Sequence, residues 1–271
     1  MSMMWSRGVL LCVLPFSVVI SGEPWSARQQ GLAGLSVSLP SAHGNLIRNP
    51  AGIASIRSFT VHPSFSPGFY NLPELRSTSL ILILPLTPAT IGTGVRRFGF
   101  DLYRETSFVA GVGIQLHESL AGGIALEAKD IVIKGYGSQV VPLVTVGVQA
   151  GVSDRILVGG RIENILGAVL GKGRERIPRS AAVGVSAALG GGFLFAAELE
   201  NDTRDPAIMR WGCEIRPVDA VCLRAALATD PDRWAAGGTI SIGYAEFSYG
   251  GTFHPILGWT HVLELGVRVE P

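Results

Sequence analysis

Glu198 and Glu200 stand two residues apart in the run FLFAAELE, a spacing that puts both carboxylates on one side of an extended chain. Such a pair does general acid–base chemistry only when its surroundings drive the two proton affinities apart. Here the flanking residues alternate, with Phe193, Phe195, Ala197 and Leu199 on one side and Leu194 and Ala196 beside the two glutamates on the other. The pair therefore belongs to the polar face of a strand, and its expected partners are Arg216 or Arg224. The other chemistry-bearing residues form no set. His43, His62, His117, His254 and His261 show neither zincin nor finger spacing. There is no Gly-x-Ser-x-Gly elbow. Gly111-Val112-Gly113 lies inside a strand pattern, with no helix after it to receive a phosphate. The chain reads as a non-enzyme without cofactor or metal site.

The elements that position these residues follow from composition and period. The 271 residues carry a net charge of +1, and 16% are charged, so no basic excess is available for nucleic acid. Mean hydropathy is high at +0.37, yet no window offers the ~20 apolar residues of a membrane helix. That leaves a well-buried soluble core or a barrel that shows its apolar side to lipid. The 35 glycines favour the barrel, because glycine suits tight hairpins and close strand packing. Arg7, the apolar run Gly8 to Ile20, and small Ser21 and Gly22 read as a secretory signal over residues 1–22.

From Arg57 the chain divides into about fourteen segments, most bounded by turn residues. They begin near Arg57, Arg76, Thr90, Arg104, Ser119, Val140, Asp154, Ile177, Gly191, Ala207, Asp219, Arg233, Gly243 and Gly258. Alternation recurs within them. Ile156, Val158, Gly160 and Ile162 oppose Arg155, Arg161 and Glu163; His261, Leu263, Leu265, Val267 and Val269 oppose Glu264, Gly266 and Arg268. A sandwich would alternate too, with its polar face to water. The mixed signs, the small residues on the charged faces and the very short connections at Gly190 to Gly192 and Asp230 to Asp232 favour a shared lumen. The expected fold is an all-β, closed antiparallel transmembrane barrel of about fourteen strands over residues 57–271. Glu127, Lys129, Arg161, Glu163, Glu198, Glu200, Glu214, Arg216, Arg224, Glu246, Glu264 and Arg268 are expected to line that lumen. Asn201 to Asp205, Leu166 to Arg176 and the stretch after Tyr136 are expected as outer loops, with Lys172, Arg174, Arg176 and Arg179 forming a basic loop.

Strand parity also decides the two mature cysteines. A two-residue turn at Pro217 and Val218 would set Cys213 opposite Cys222. It would also put Glu214 and Arg216 on one face with Val221 and Leu223, at up to about 2–4 kcal/mol for an arginine at mid-membrane. A register centred on Asp219 instead pairs Glu214 with Arg224 and keeps the apolar face clean. This predicts two free thiols, Cys213 towards lipid and Cys222 towards the lumen.

Ahead of the strands lies NLIRNPAGIAS. Pro50 fixes its backbone and removes a donor; Asn49, before a proline, is extended and able to cap with its side chain. Read alone, NPAG is also ordinary turn material before a first strand. In order along the chain, GLAGLSVSLP, NPAGIA, RILVGGRIENIL, IPRSAAVGVS, LFAAELE, WGCEIRPVDAVCLRAAL and YAEFSYGGTFHPILGWTHVLELGVRV resemble the FadL-like outer-membrane barrels, and among them the PorV/PorQ-type branch. The resemblance implies an N-terminal hatch over residues 23–56, with Asn49, Pro50 and Ala51 as its signature and Gly52 permitting the turn. It further implies a lumen closed by the hatch, a small fatty-acid-like molecule that leaves sideways through the wall, and outer-membrane lipid as surroundings. The PorV side of the resemblance implies an alternative: an accessory or anchoring role among secretion-system proteins. A soluble exported β domain is a third reading of the alternation.

Overall fold

The protein is described by a computed structural model over residues 25–171, 175–204 and 206–269. The expected signal at 1–22 lies outside these residues, as do Lys172 and Arg174 of the basic loop. Two short helices, α1 (Ala27–Gln30) and α2 (Asn45–Arg48), and a 3-10 turn (Pro50–Ile53) precede the sheet. The strands are β1 (Phe59–Ser66), β2 (Ser77–Leu86), β3 (Ala89–Gly99), β4 (Tyr103–His117), β5 (Leu120–Ile133), β6 (Gly137–Ser153), β7 (Ile156–Glu163), β8 (Val169–Leu170), β9 (Glu175–Arg176), β10 (Ser180–Gly190), β11 (Phe193–Asp202), β12 (Ile208–Val218), β13 (Val221–Ala228), β14 (Arg233–Ile242), β15 (Ala245–His254) and β16 (Gly258–Val269).

All but β8 and β9 form one closed barrel, each strand antiparallel to its neighbours and β1 paired with β16. The small β8–β9 hairpin sits in the connection between β7 and β10. The fourteen barrel strands begin within about three residues of the expected starts. An even count returns the chain to the end at which it began. At that terminal end every hairpin turn has two residues, from Thr87–Pro88 to Gly243–Tyr244. The longer connections, including 67–76, 164–179 and 203–207, are all at the far end. The stretch after Tyr136 differs from expectation. It is already strand, because β6 starts at Gly137 and pairs with Ile133 across a turn of three residues.

The faces are those of a membrane barrel. Leu263 and Leu265 are 53% and 37% exposed while Glu264 between them is 7% exposed. Phe195, Leu199, Leu223, Phe247 and Ile240 are exposed in the same way. Apolar outside and charged inside is the reverse of a water-soluble sheet, and it is stable where lipid covers the outer wall. Among the described residues no helix is long and apolar enough to cross a membrane.

The β12–β13 hairpin shows how parity is kept. Glu214 pairs with Arg224 and Cys213 with Ala225. The turn itself has two residues, Asp219 and Ala220, and an irregularity between Ile215 and Val218 supplies the odd residue the register needs. Both cysteines are free, Cys222 buried on the inner side and Cys213 on the outer.

Candidate functional site

The interior of the barrel holds residues 25–56. Helix α1 packs on β14, β15 and β16, whereas α2 and the 3-10 turn pack on β4, β5 and β6 across the lumen. Apolar contacts set the position. Trp25, Leu46 and Ile53 cluster with Ile81, Ile83 and Val109 of the wall. Leu32, Leu35 and Leu39 fill a second cluster whose wall side is built from Ala196, Ala226, Ala228 and Ala235. Burying such side chains stabilises by about 1.5–3 kcal/mol each.

Asn49 fixes the register of this segment. It is extended and fully buried, and its Oδ1 accepts from the Ala51 N–H at 3.3 Å, capping the turn that Pro50 opens. Its Nδ2 donates to Val37 O at 2.6 Å and to Val148 O on β6 at 3.2 Å. The wall meets it with glycine. A β-carbon at Gly147 would overlap the Asn49 side-chain oxygen, one at Gly123 the Pro50 carbonyl carbon, and one at Gly159 the Val37 oxygen. Many of the glycines thus leave room for an inserted backbone, beyond the hairpin role that composition suggests. Gly52 lies within the 3-10 turn Pro50–Ile53. It is not among the positive-φ residues, and its missing side chain admits the Asn45 amide, which donates to Leu39 O at 3.0 Å.

Charges hold the same segment. Glu200 accepts from Arg161 and Arg210 at 2.6 Å each and from Arg48 of α2 at 3.0 Å. Glu198 accepts from Arg210 at 3.1 Å and from the Ser36 and Val37 N–H groups at 2.8 Å each. Glu163 binds Arg161 at 2.7 Å, and Glu214 binds Arg28 of α1 at 2.5 Å and Arg224 at 3.2 Å. Burial, followed by neighbouring Arg161, pulls the Arg48 guanidinium below its ordinary pKa. For Arg28 burial acts downward too, but Glu214 outweighs it and the pKa is raised.

The partners of Glu198 and Glu200 are therefore Arg48, Arg161 and Arg210, and not Arg216 or Arg224. The reason is stagger: β11 and β12 place Glu198 opposite Arg210, while Glu214 stands opposite Arg224. All four carboxylate oxygens of the pair are engaged by donors, as in a structural ion-pair network. Lys129 lies 3.6 Å from Glu105 and 3.7 Å from Glu127 inside the wall. Arg216 and Arg268 are exposed at the terminal mouth, where Arg268 pairs with half-buried Glu246 at 2.9 Å. Both arginines border the polar cavity that opens at this mouth, together with Arg28, Glu214 and Glu264.

Among the described residues, the charged residues of the interior that are absent from the set expected from sequence include Arg28, Arg48, Arg96, Glu105 and Arg210. Glu105 and Arg210 are readable from strand parity, whereas Arg28 and Arg48 lie in a segment with no strand period. Sequence spacing also does not connect His43, His62 and Glu264, which converge where the N-terminal segment meets β1 and β16.

The outer wall carries one further feature. Across β13 to β1 an apolar depression of about 960 Å³ is lined by Leu223, Ile240, Phe247, Leu263 and Phe65, with Gly237 and Gly238 among its lining residues and Ser64 and Glu264 also reached. The β1–β16 ladder beside it pairs Phe59, Thr60 and Val61, then resumes at Ser64 and Phe65. Pro63, which has no N–H to give, sits in that gap.

Neither a protein-family model nor a curated protein matches the chain. Solved structures do match. The toluene transporter TbuX of Ralstonia pickettii superposes with a TM-score of 0.74 at 9% identity, over 92% of this chain and 99% of that one. The CymD monoaromatic hydrocarbon channel gives 0.71 at 11% identity, over 94% and 99%. A Pseudomonas aeruginosa FadL homologue gives 0.60 at 11% identity, over 92% and 98%. The fold is the one these proteins share.

Proposed function

We propose that this chain is a FadL-like outer-membrane barrel that binds or passes small hydrophobic molecules without catalysis, and that residues 25–56 act as its hatch. The observation that carries the reading is how the segment is held. Its backbone lies against glycines of the wall, and beside its two apolar clusters its polar anchors are exchangeable hydrogen bonds and ion pairs, centred on Asn49 and Arg48. Such a segment can shift without unzipping a strand. The apolar wall depression supports a sideways path, because a hydrophobe leaving there enters lipid and not water. The fold shared with hydrocarbon channels supports the same substrate class. The short turns then face the periplasm and the longer loops the exterior.

The second reading is a PorV-like accessory or anchoring role in secretion. The filled lumen favours it, since an anchor needs no path through the barrel. One experiment separates the two. Cells lacking other hydrophobe importers are given the gene, and uptake of labelled toluene and of a medium-chain fatty acid is followed. The proposal expects uptake of at least one to rise several-fold. Uptake equal to the empty strain, with the barrel present in outer membranes, would refute it; a stable protein partner recovered from those membranes would favour the second reading.

A further inference from the structure

We propose that His43, His62 and Glu264 form a binding site for one divalent transition-metal ion of the Zn(II) class, which staples the N-terminal segment to the seam where the barrel closes. The three residues come from three elements: the segment between α1 and α2, strand β1 and strand β16. His43 Nε2 lies 3.0 Å and His62 Nδ1 3.6 Å from the same oxygen, Glu264 Oε1. The ligand atoms all lie within 4.8 Å of one another.

Two imidazoles and a carboxylate are a donor set that suits zinc and leaves a fourth position for water. The two nitrogens also lack well-aligned hydrogen bonds. His62 is 6% exposed, and neither its Nδ1 nor the His43 Nε2 has a hydrogen-bond partner of acceptable geometry. Both nitrogens face the Glu264 carboxylate without an aligned hydrogen bond, and a cation held between the three groups would satisfy them together. The other Glu264 oxygen is already committed, accepting from the Ala27 N–H at 3.0 Å, which aims Oε1 at the histidines.

Room and access are present. A side chain at Gly266 would come within 3.1 Å of the His62 ring, so glycine there leaves the ring its place. The two rings stack at 3.6 Å and 9°, so coordination by both requires one ring to tilt. Polar cavities of about 270 and 430 Å³ border His43, and the first also borders His62. Both reach Glu246 and Arg268 at the terminal mouth, which gives the ion an entry path.

The test uses the full mature chain without a histidine tag, purified in detergent, stripped with chelator and titrated with zinc. The expected result is one ion per chain, with affinity falling at least about tenfold in His62→Ala and in His43→Gln. His43→Gln changes the segment and not the wall, so the barrel stays folded by heat-modifiable migration even if His62→Ala does not. Exposed His117→Ala should bind as the parent does. Zinc should also slow proteolysis of the segment in the parent and not in His43→Gln. Less than about one-tenth of an ion per chain at micromolar free zinc, or unchanged affinity in folded His43→Gln, would overturn the proposal. It stands on the seam geometry and does not depend on the transport reading.

Discussion

The side-chain amide of Asn49 donates to the Val148 carbonyl oxygen, 3.2 Å away on β6, and so ties the N-terminal segment to the barrel wall. The same nitrogen also holds Val37 at 2.6 Å. Asn49→Asp removes that donor and turns an anionic oxygen towards two carbonyls. Each buried acceptor left without a partner costs about 1–3 kcal/mol. The variant should loosen the segment, read as faster proteolysis between Ser36 and Arg57, while the barrel keeps its heat-modifiable migration.

Neighbouring glycines on β7 provide a parity test. Gly159 faces inward against the Val37 oxygen, whereas a β-carbon at Gly160 would meet nothing closer than Val148 Cγ1 at 3.6 Å. Gly159→Ala should cost roughly 1–3 kcal/mol through overpacking, and Gly160→Ala should be near neutral. Urea midpoints of the two variants check this. Equal effects would contradict the assigned faces.

Glu200 gathers Arg48, Arg161 and Arg210. Glu200→Gln leaves the buried guanidiniums short of one negative charge, a change that costs about 3–5 kcal/mol where a buried pair is broken. The unfolding midpoint in urea should fall accordingly. Glu246→Gln, at the exposed mouth, should change it by much less.

Cys213 and Cys222 lie on opposite faces of neighbouring strands. Without reductant, both should react with thiol reagents after unfolding, and the intact mass should show no loss of two hydrogens. In the folded protein a membrane-soluble reagent should prefer Cys213. A mass two hydrogens light would contradict the register.

Much of the barrel is legible in the sequence because a period of two is a local property. Leu263, Glu264 and Leu265 declare their faces without reference to any other strand, and the two-residue turns mark where strands end. The Glu214–Arg224 register follows from parity alone. Stagger between strands is not local, which is why parity matches Glu198 and Glu200 to the wrong arginines. Contacts of the inserted segment are less local still. Nothing near Gly147 in sequence announces Asn49, and His43, His62 and Glu264 meet only once the barrel has closed.

The proposed hatch, residues 25–56, closes a barrel that would otherwise pass small molecules. Its most direct test is the permeability of proteoliposomes carrying the parent chain or a chain lacking residues 42–55, which removes Arg48 and Asn49 together. Small-solute flux should rise at least about tenfold on deletion, with heat-modifiable migration retained. Unchanged flux through a folded, deleted barrel would contradict it.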